Sequence, residues 1–189
     1  MAESAVTLHE ETLTRTPTYR GRLFTTETLS VRLHDDSLST REIIRHPGGA
    51  AVVALTDDDS VILVSQYRIA VGAVLLEIPA GKLEPDEDPL GCAQRELAEE
   101  TGCTARQWRK LGAFFPSPGY LDETLHLYLA TGLVAGEAHP DQGEHVVTST
   151  VPFSEVLARI EANEISDAKT IIGILLTDRL RQNTAQGDD

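Results

Sequence analysis

Glu96, Glu99 and Glu100 lie within four positions of one another, in residues 81–103, GKLEPDEDPLGCAQRELAEETGC. On an α-helix, spacings of three and four put side chains on neighbouring, overlapping faces. Three carboxylates near a helix C-terminus also oppose the macrodipole, which favours cations there. Something positive should neutralise them. Arg95, four positions before Glu99, is one partner. A hard divalent cation is another: it takes carboxylate oxygens, and magnesium keeps waters and binds substrate phosphates at the same time. The chemistry indicated is metal-assisted hydrolysis of a phosphate compound. The alternative is an ordinary solvated acidic face.

The same segment supplies the helix. Asp88 can cap it, and Pro89 fits a first turn because its missing N–H has no partner there. Residues 90–100 are rich in good helix formers. Thr101-Gly102 is a stop, with Gly free to take the left-handed conformation.

Other elements must hold this helix in place. Apolar strands are expected at 51–55 and 61–66, joined at Asp57-Asp58-Asp59, and at 75–78. Further strands are expected at 111–115, 124–131 and 146–151, and helices at 153–162 and 168–181. Strands and helices mix without regular alternation, so the expected class is α+β, a mixed sheet covered by helices. Before these, residues 22–33 and 40–44 alternate apolar and polar around a turn at 34–37. They form a small antiparallel unit of two or three strands, too small to stand alone, that must pack on the rest of the chain or on a second copy. His46-Pro47-Gly48-Gly49 marks the break. The expected division is an N-terminal β segment over 1–46, a main domain over 47–182 and a polar tail over 183–189.

The chain has 189 residues and a formal net charge of -14. That acidity disfavours nucleic-acid backbones as partners. It leaves room for a small anionic substrate, because a bound metal inverts the local field. No apolar run approaches a membrane span, and the acidic N-terminal stretch has no targeting core. Cys92 and Cys103 have no metal-site spacing and read as small buried side chains. The expected location is the cytoplasm. His46 and His145 lack partners at ligand spacing and read as structural.

The pattern Gly81, five residues, Glu87, seven residues, Arg-Glu-Leu-x-Glu-Glu-x-Gly and a small apolar residue resembles the signature box of the Nudix hydrolases at every defined position. Cys103 takes the last, apolar one, a mild departure from the pattern. VSQYR at 64–68, EIPAG at 77–81, and Ser117-Pro118-Gly119 with Asp122-Glu123 look like the ADP-ribose pyrophosphatase branch. The likeness runs from about residue 19 to 180. It implies a Nudix α/β/α sandwich, with the N-terminal antiparallel β unit exchanged in a homodimer.

It also implies roles. Glu96, Glu99 and Glu100 match metal-binding carboxylates, joined by the backbone carbonyl of Ala80, and the ion is Mg2+ with Mn2+ as the alternative. Glu99, Glu100, Glu144 and Arg95 form the catalytic set, Arg95 orienting the glutamates. Glu144, with Asp141 behind it, is the candidate to activate water, against the reading of an ordinary loop acid. Gly81, Glu87 and Gly102 support the site. Arg68, Glu77, Ser117, Gly119 and Glu123 are substrate-side. For Arg68 a phosphate contact stands against a salt bridge to Glu77, and Ser117–Gly119 and Glu123 have plain turn and strand-edge readings. Phe24 and Tyr19 are candidates for an adenine platform or for core.

The implied reaction is water attack on a P–O–P bridge, with ADP-ribose giving AMP and ribose 5-phosphate. Two alternatives stand beside it: another substrate, such as a sugar nucleotide, NADH, FAD or a coenzyme A derivative, or a ligand sensor without catalysis. In each case the expected partner is a small nucleoside diphosphate compound, with no nucleic acid and no membrane.

Overall fold

The structure, a computed structural model, describes residues 8–139 and 145–185. It divides into two units. Unit 1 takes the described residues up to Pro47 together with Phe115–Glu123, and unit 2 takes Gly48–Phe114 and the residues from Thr124 onward.

Unit 1 is a three-stranded antiparallel sheet in the order β1-β2-β3, with β1 at Glu11–Arg20, β2 at Thr25–Arg32 and β3 at Leu38–Arg45. β2 and β3 are the strands expected from alternation. They meet in register from Thr25 opposite Arg45 to Arg32 opposite Leu38. The turn between them closes with Leu33 N donating to Ser37 O at 2.9 Å, and Asp36 takes the left-handed conformation there. β1 has no apolar alternation, and all ten of its residues are exposed. Its pairing with β2 is a backbone matter, interrupted by irregularities around Thr12–Thr14 and Pro17–Tyr19. Residues 115–123 add to β3: Ile44 N donates to Tyr120 O at 2.7 Å and Asp122 N to Ile44 O at 3.2 Å.

Unit 2 is organised by its central strand. GAAVVAL is a run of small and β-branched residues without polar alternation, the pattern of a strand covered on both faces. It forms β4 (Gly49–Leu55), and Ala50 through Ala54 are fully buried. The other strands are β5 (Ser60–Arg68), β6 (Ala73–Glu77), β7 (Ala80–Lys82), β8 (Cys103–Phe114), β9 (Leu125–Ala135) and β10 (Val146–Pro152). The sheet order is β10-β5-β4-β9-β8, with β6 beside β5 and β7 beside β4. Among the described residues of this sheet, only β4 and β9 pair in parallel. The sheet is therefore mixed, as its unalternating element order implies.

The helices are α1 (Pro89–Thr101), α2 (Phe153–Glu161) and α3 (Ala168–Ala185). Alternation along β4 assigns their faces. Ala50, Val52 and Ala54 pack with Cys92, Ala93 and Leu97 of α1. Ala51 and Val53 pack with Phe153 and Val156 of α2 and Ile174 of α3. α3 comes close: a Cβ at Gly173 would stand 2.8 Å from a Val53 methyl. The result is a sheet between helices, an α/β/α sandwich. Three boundaries differ by four residues or more from those expected. β9 runs on to Ala135 rather than stopping at 131. β8 begins at Cys103 rather than at 111, its first half alternating inward Cys103 and Ala105 with exposed Thr104 and Arg106 before Gln107 and Trp108 break the period. α3 continues past 181 to Ala185. Among the described residues, no helix is long and apolar enough to cross a membrane.

Candidate active site

The site is built where the turn between β6 and β7 meets the last two turns of α1. Asp88 starts the helix, its side chain accepting from Leu90 N at 3.0 Å and Gly91 N at 3.1 Å. Gly102 ends it at φ 71°, donating to Ala98 O at 2.9 Å. These two stops fix which face of α1 carries Glu96 and Glu100, both nearly buried. Glu96 lies against the backbone of Gly81. A Cβ at Gly81 would fall inside the Glu96 carboxylate, whose farther oxygen would be 2.5 Å away. That position must be glycine for the carboxylate to sit there. Glu100 turns toward the same strand and accepts from Ala80 N at 3.0 Å, while its own carbonyl accepts from Thr148 Oγ1 at 3.2 Å.

Arg95 binds this group together. Its Nε and Nη2 meet the two oxygens of Glu87 at 2.9 and 3.0 Å, a bidentate pair. Nη1 reaches Glu96 at 2.7 Å and Glu99 at 2.9 Å, and Nη2 also reaches the carbonyl of Lys82 at 3.1 Å. The hydrogen bond from Arg95 draws the Glu87 carboxyl down to about 2, and the same bond raises the Arg95 guanidinium further above its ordinary range. Cys92 lies 3.5 Å from Arg95, and burial pushes its thiol up to about 12, so it is no nucleophile.

Four carboxylates (Glu87, Glu96, Glu99, Glu100) against one guanidinium leave a formal charge of 4 − 1 = 3 negative when all are ionised. The last turn of α1 contributes no basic residue. Among the described residues no three acidic, imidazole or thiol groups already converge on one coordination point. The donor set fits a hard divalent cation nonetheless. All candidate donors are oxygens, the charge is in excess, and the glycine cradle holds one carboxylate hard against the β7 backbone.

The expected substrate-side residues fall into three places. In unit 2, Arg68 at the end of β5 places Nε and Nη2 on the two oxygens of Glu77, each at 2.8 Å. Glu77 is 1% exposed and also contacts Lys169 of α3. Burial pushes the Glu77 carboxyl up, but Arg68 and Lys169 outweigh it and hold it below its ordinary value. In unit 1, Ser117 O accepts from Tyr120 N and Leu121 N, closing the turn that contains Gly119, and Glu123 faces His46 Nδ1 at 3.4 Å. Tyr19 and Phe24 pack on each other there, ring centroids 5.6 Å apart. Glu144 and Asp141 lie outside the described residues.

Sequence reading did not single out Lys169, Asp167 and Thr170. Its available signal was Asp167-x-x-Thr170 ahead of an apolar helix, a cap pattern in which Asp167 accepts from Thr170 N at 3.0 Å.

The box on β7, its following loop and α1 has a counterpart among known proteins: residues 45–171 match the NUDIX domain. The chain belongs to the Nudix family. An ADP-ribose pyrophosphatase of Bacillus subtilis (strain 168) is 40% identical over 169 residues, 88% of this chain and 91% of that protein. The methanol dehydrogenase activator of Bacillus methanolicus is 41% identical over 167 residues, 87% of this chain and 90% of that one. A solved structure described as an ADP compounds hydrolase has a TM-score of 0.84, covering 96% of this chain and 98% of that chain. At 21% identity, that last likeness is one of Nudix fold. Nudix hydrolases use a divalent metal, in keeping with the charge excess around Arg95.

Proposed function

We propose that the chain is a Mg2+-dependent pyrophosphohydrolase, with Mn2+ as the alternative ion, that cleaves ADP-ribose to AMP and ribose 5-phosphate. The observation that carries this reading is the arrangement of Glu96 and Glu100 against the Ala80–Gly81 backbone, with Arg95 between Glu87, Glu96 and Glu99. The relative named as an ADP-ribose pyrophosphatase supports the substrate.

When bound, the metal supplies charge to the phosphates and lowers the pKa of water. The chain's own part is to present Glu96, Glu99, Glu100 and the Ala80 carbonyl as hard donors. Arg95, anchored by Glu87, keeps that donor set from flying apart through mutual repulsion. Gly81 and Gly102 set the backbone around it. Arg68 binds a substrate phosphate, and Glu144 is the candidate base for water. Ser117, Gly119 and Glu123 contact the remainder of the substrate.

The test is product detection with Mg2+ against EDTA over a panel of ADP-ribose, sugar nucleotides, NADH, FAD and coenzyme A derivatives. Glu100→Gln should lower kcat by at least about a hundredfold, the loss expected when a metal site is disturbed. Far-UV circular dichroism should stay unchanged. Turnover near that of the wild type removes the metal-site reading, and a better substrate elsewhere in the panel replaces ADP-ribose.

A second reading has one observation in its favour, the likeness to a methanol dehydrogenase activator. Assaying a purified methanol dehydrogenase with the wild type and with Glu100→Gln separates the two. Activation that survives the substitution would put a non-hydrolytic role first.

We also place the chain in the cytoplasm, where the free, buried thiols of Cys92 and Cys103 suit a reducing compartment. It acts there as a homodimer through its N-terminal strands, β1 being fully exposed in the single chain.

A further inference from the structure

Lys169 stands outside the signature box, yet it reaches a carboxylate buried 92 positions earlier in the chain. Glu77 receives two cations: the fork of Arg68, and the ammonium of Lys169. Lys169 is itself mostly buried, and its Nζ lies 2.9 Å from Asp167 Oδ1. The other Asp167 oxygen accepts from Thr170 N at 3.0 Å and Thr170 Oγ1 at 2.6 Å. Thr170 Oγ1 in turn accepts from Ile78 N at 2.8 Å. The start of α3 therefore grips both the side chain of Glu77 and the backbone that follows it, two residues before Ala80.

Arg68 is held at two of its three nitrogens. Nη1 donates to none of the described residues, and the side chain is 40% exposed. It also lies within electrostatic reach of Glu100. Lys169 is itself paired with Asp167, so Arg68, Lys169, Glu77 and Asp167 together are formally neutral. What sharing Glu77 does is pin the fork of Arg68 in one plane, with its third nitrogen left over.

We propose that Lys169 is a positioning residue: by sharing Glu77 it holds Arg68 with one open nitrogen for a substrate phosphate beside the Glu100 carboxylate. The proposal rests on the pyrophosphohydrolase reading. Lys169 touches no substrate and acts through Arg68.

That chain of action sets the test. The full chain with Mg2+ is titrated with inorganic pyrophosphate by calorimetry, and followed in steady state with ADP-ribose. The variants are Arg68→Gln, Lys169→Met, Lys169→Arg and the double Arg68→Gln/Lys169→Met. Loss of one charge-assisted contact corresponds to about tenfold. Lys169→Met should therefore weaken pyrophosphate binding and raise KM by about that factor, with kcat changed much less. Lys169→Arg should recover most of the loss, and the double variant should bind no more weakly than Arg68→Gln alone.

The proposal is overturned if Lys169→Met binds pyrophosphate as the wild type does, or if its loss adds in full to that of Arg68→Gln. Should Lys169→Met melt early, Lys169→Gln, which keeps a polar chain, is measured instead against the same two outcomes. A wild type that binds pyrophosphate without cleaving ADP-ribose removes the substrate and leaves the cycle to decide on Lys169. A wild type that binds no pyrophosphate removes both.

Discussion

Replacing Arg95 by Met keeps an apolar stem of similar reach and deletes every donor. Glu87, Glu96 and Glu99 then lose the guanidinium that each contacts at 2.7–3.0 Å. The Glu87 contribution can be bounded from its carboxyl, which falls from 4.5 to about 2 with Arg95 as the largest cause and the Glu84 amide adding to it. At about 1.4 kcal/mol per pH unit that is about 3 kcal/mol. Glu87 is half-buried, with its side chain 16% exposed, and the share of the Glu84 amide and residual solvent screening trim the Arg95 part to about 2 kcal/mol. Glu96 and Glu99, left facing each other and Glu87, bring the total to about 3–5 kcal/mol at neutral pH, the range for breaking one side of a partly buried ion network.

The sign with pH follows from a depressed carboxyl. Its stabilisation is present above the unfolded value of 4.5 and disappears as pH falls through about 2. Urea denaturation in EDTA, run from neutral pH into acid, should show wild type and Arg95→Met converging in that window. Mg2+ should stabilise the variant more than the wild type, since more negative charge is left unbalanced. A neutral-pH difference below about 1 kcal/mol, the worth of an exposed pair, would refute the reasoning. So would a difference that stays constant into acid.

Gly81→Ala places a methyl inside the Glu96 carboxylate and forces that side chain off the β7 backbone. The Mg2+ concentration for half-maximal activity should rise by about tenfold or more, as for disturbed ligand support; an unchanged Mg2+ requirement would show that Glu96 is not placed by that contact. For the dimer, light scattering at micromolar concentration should give twice the mass of the 20.5 kDa chain. A monomeric mass would end the strand-exchange proposal.

Helix α1 was legible because its instructions are local: Asp88-Pro89 begins it, Gly102 ends it, and both caps form as their residue types require. The central strand was legible because burial on both faces leaves no room for polar residues in Ala50–Ala54. β1 was not legible. Its sequence, TLTRTPTYR after Glu11, carries no hydrophobic period because no residue of it is buried in the single chain. The first half of β8 was hidden because its inward residues, Cys103, Ala105 and Trp108, lose the period of two at Gln107. At the site, Glu96 and Glu99 meet Arg95 as their helical spacing allows, while Gly81 and Glu87 join the group from β7 and the loop before α1. Glu77 was expected on the substrate side without its second partner, Lys169, which is joined to it only by the way α3 returns across the sheet. Grouping of Ser117 and Glu123 with the N-terminal sheet likewise depends on Tyr120 and Asp122 meeting Ile44, a pairing without local signal.

The strand β4 has a consequence for how this protein can diversify. Each of its inner side chains is already committed to one of two opposed packing layers, and all are small. A larger residue on either face would have to displace a helix, with overpacking costs of about 1–3 kcal/mol. New substrate preferences therefore have no route through the floor of unit 2. They must arise from surface-facing segments that can accept insertions and new side chains, while the hydrolytic scaffold is inherited nearly unaltered.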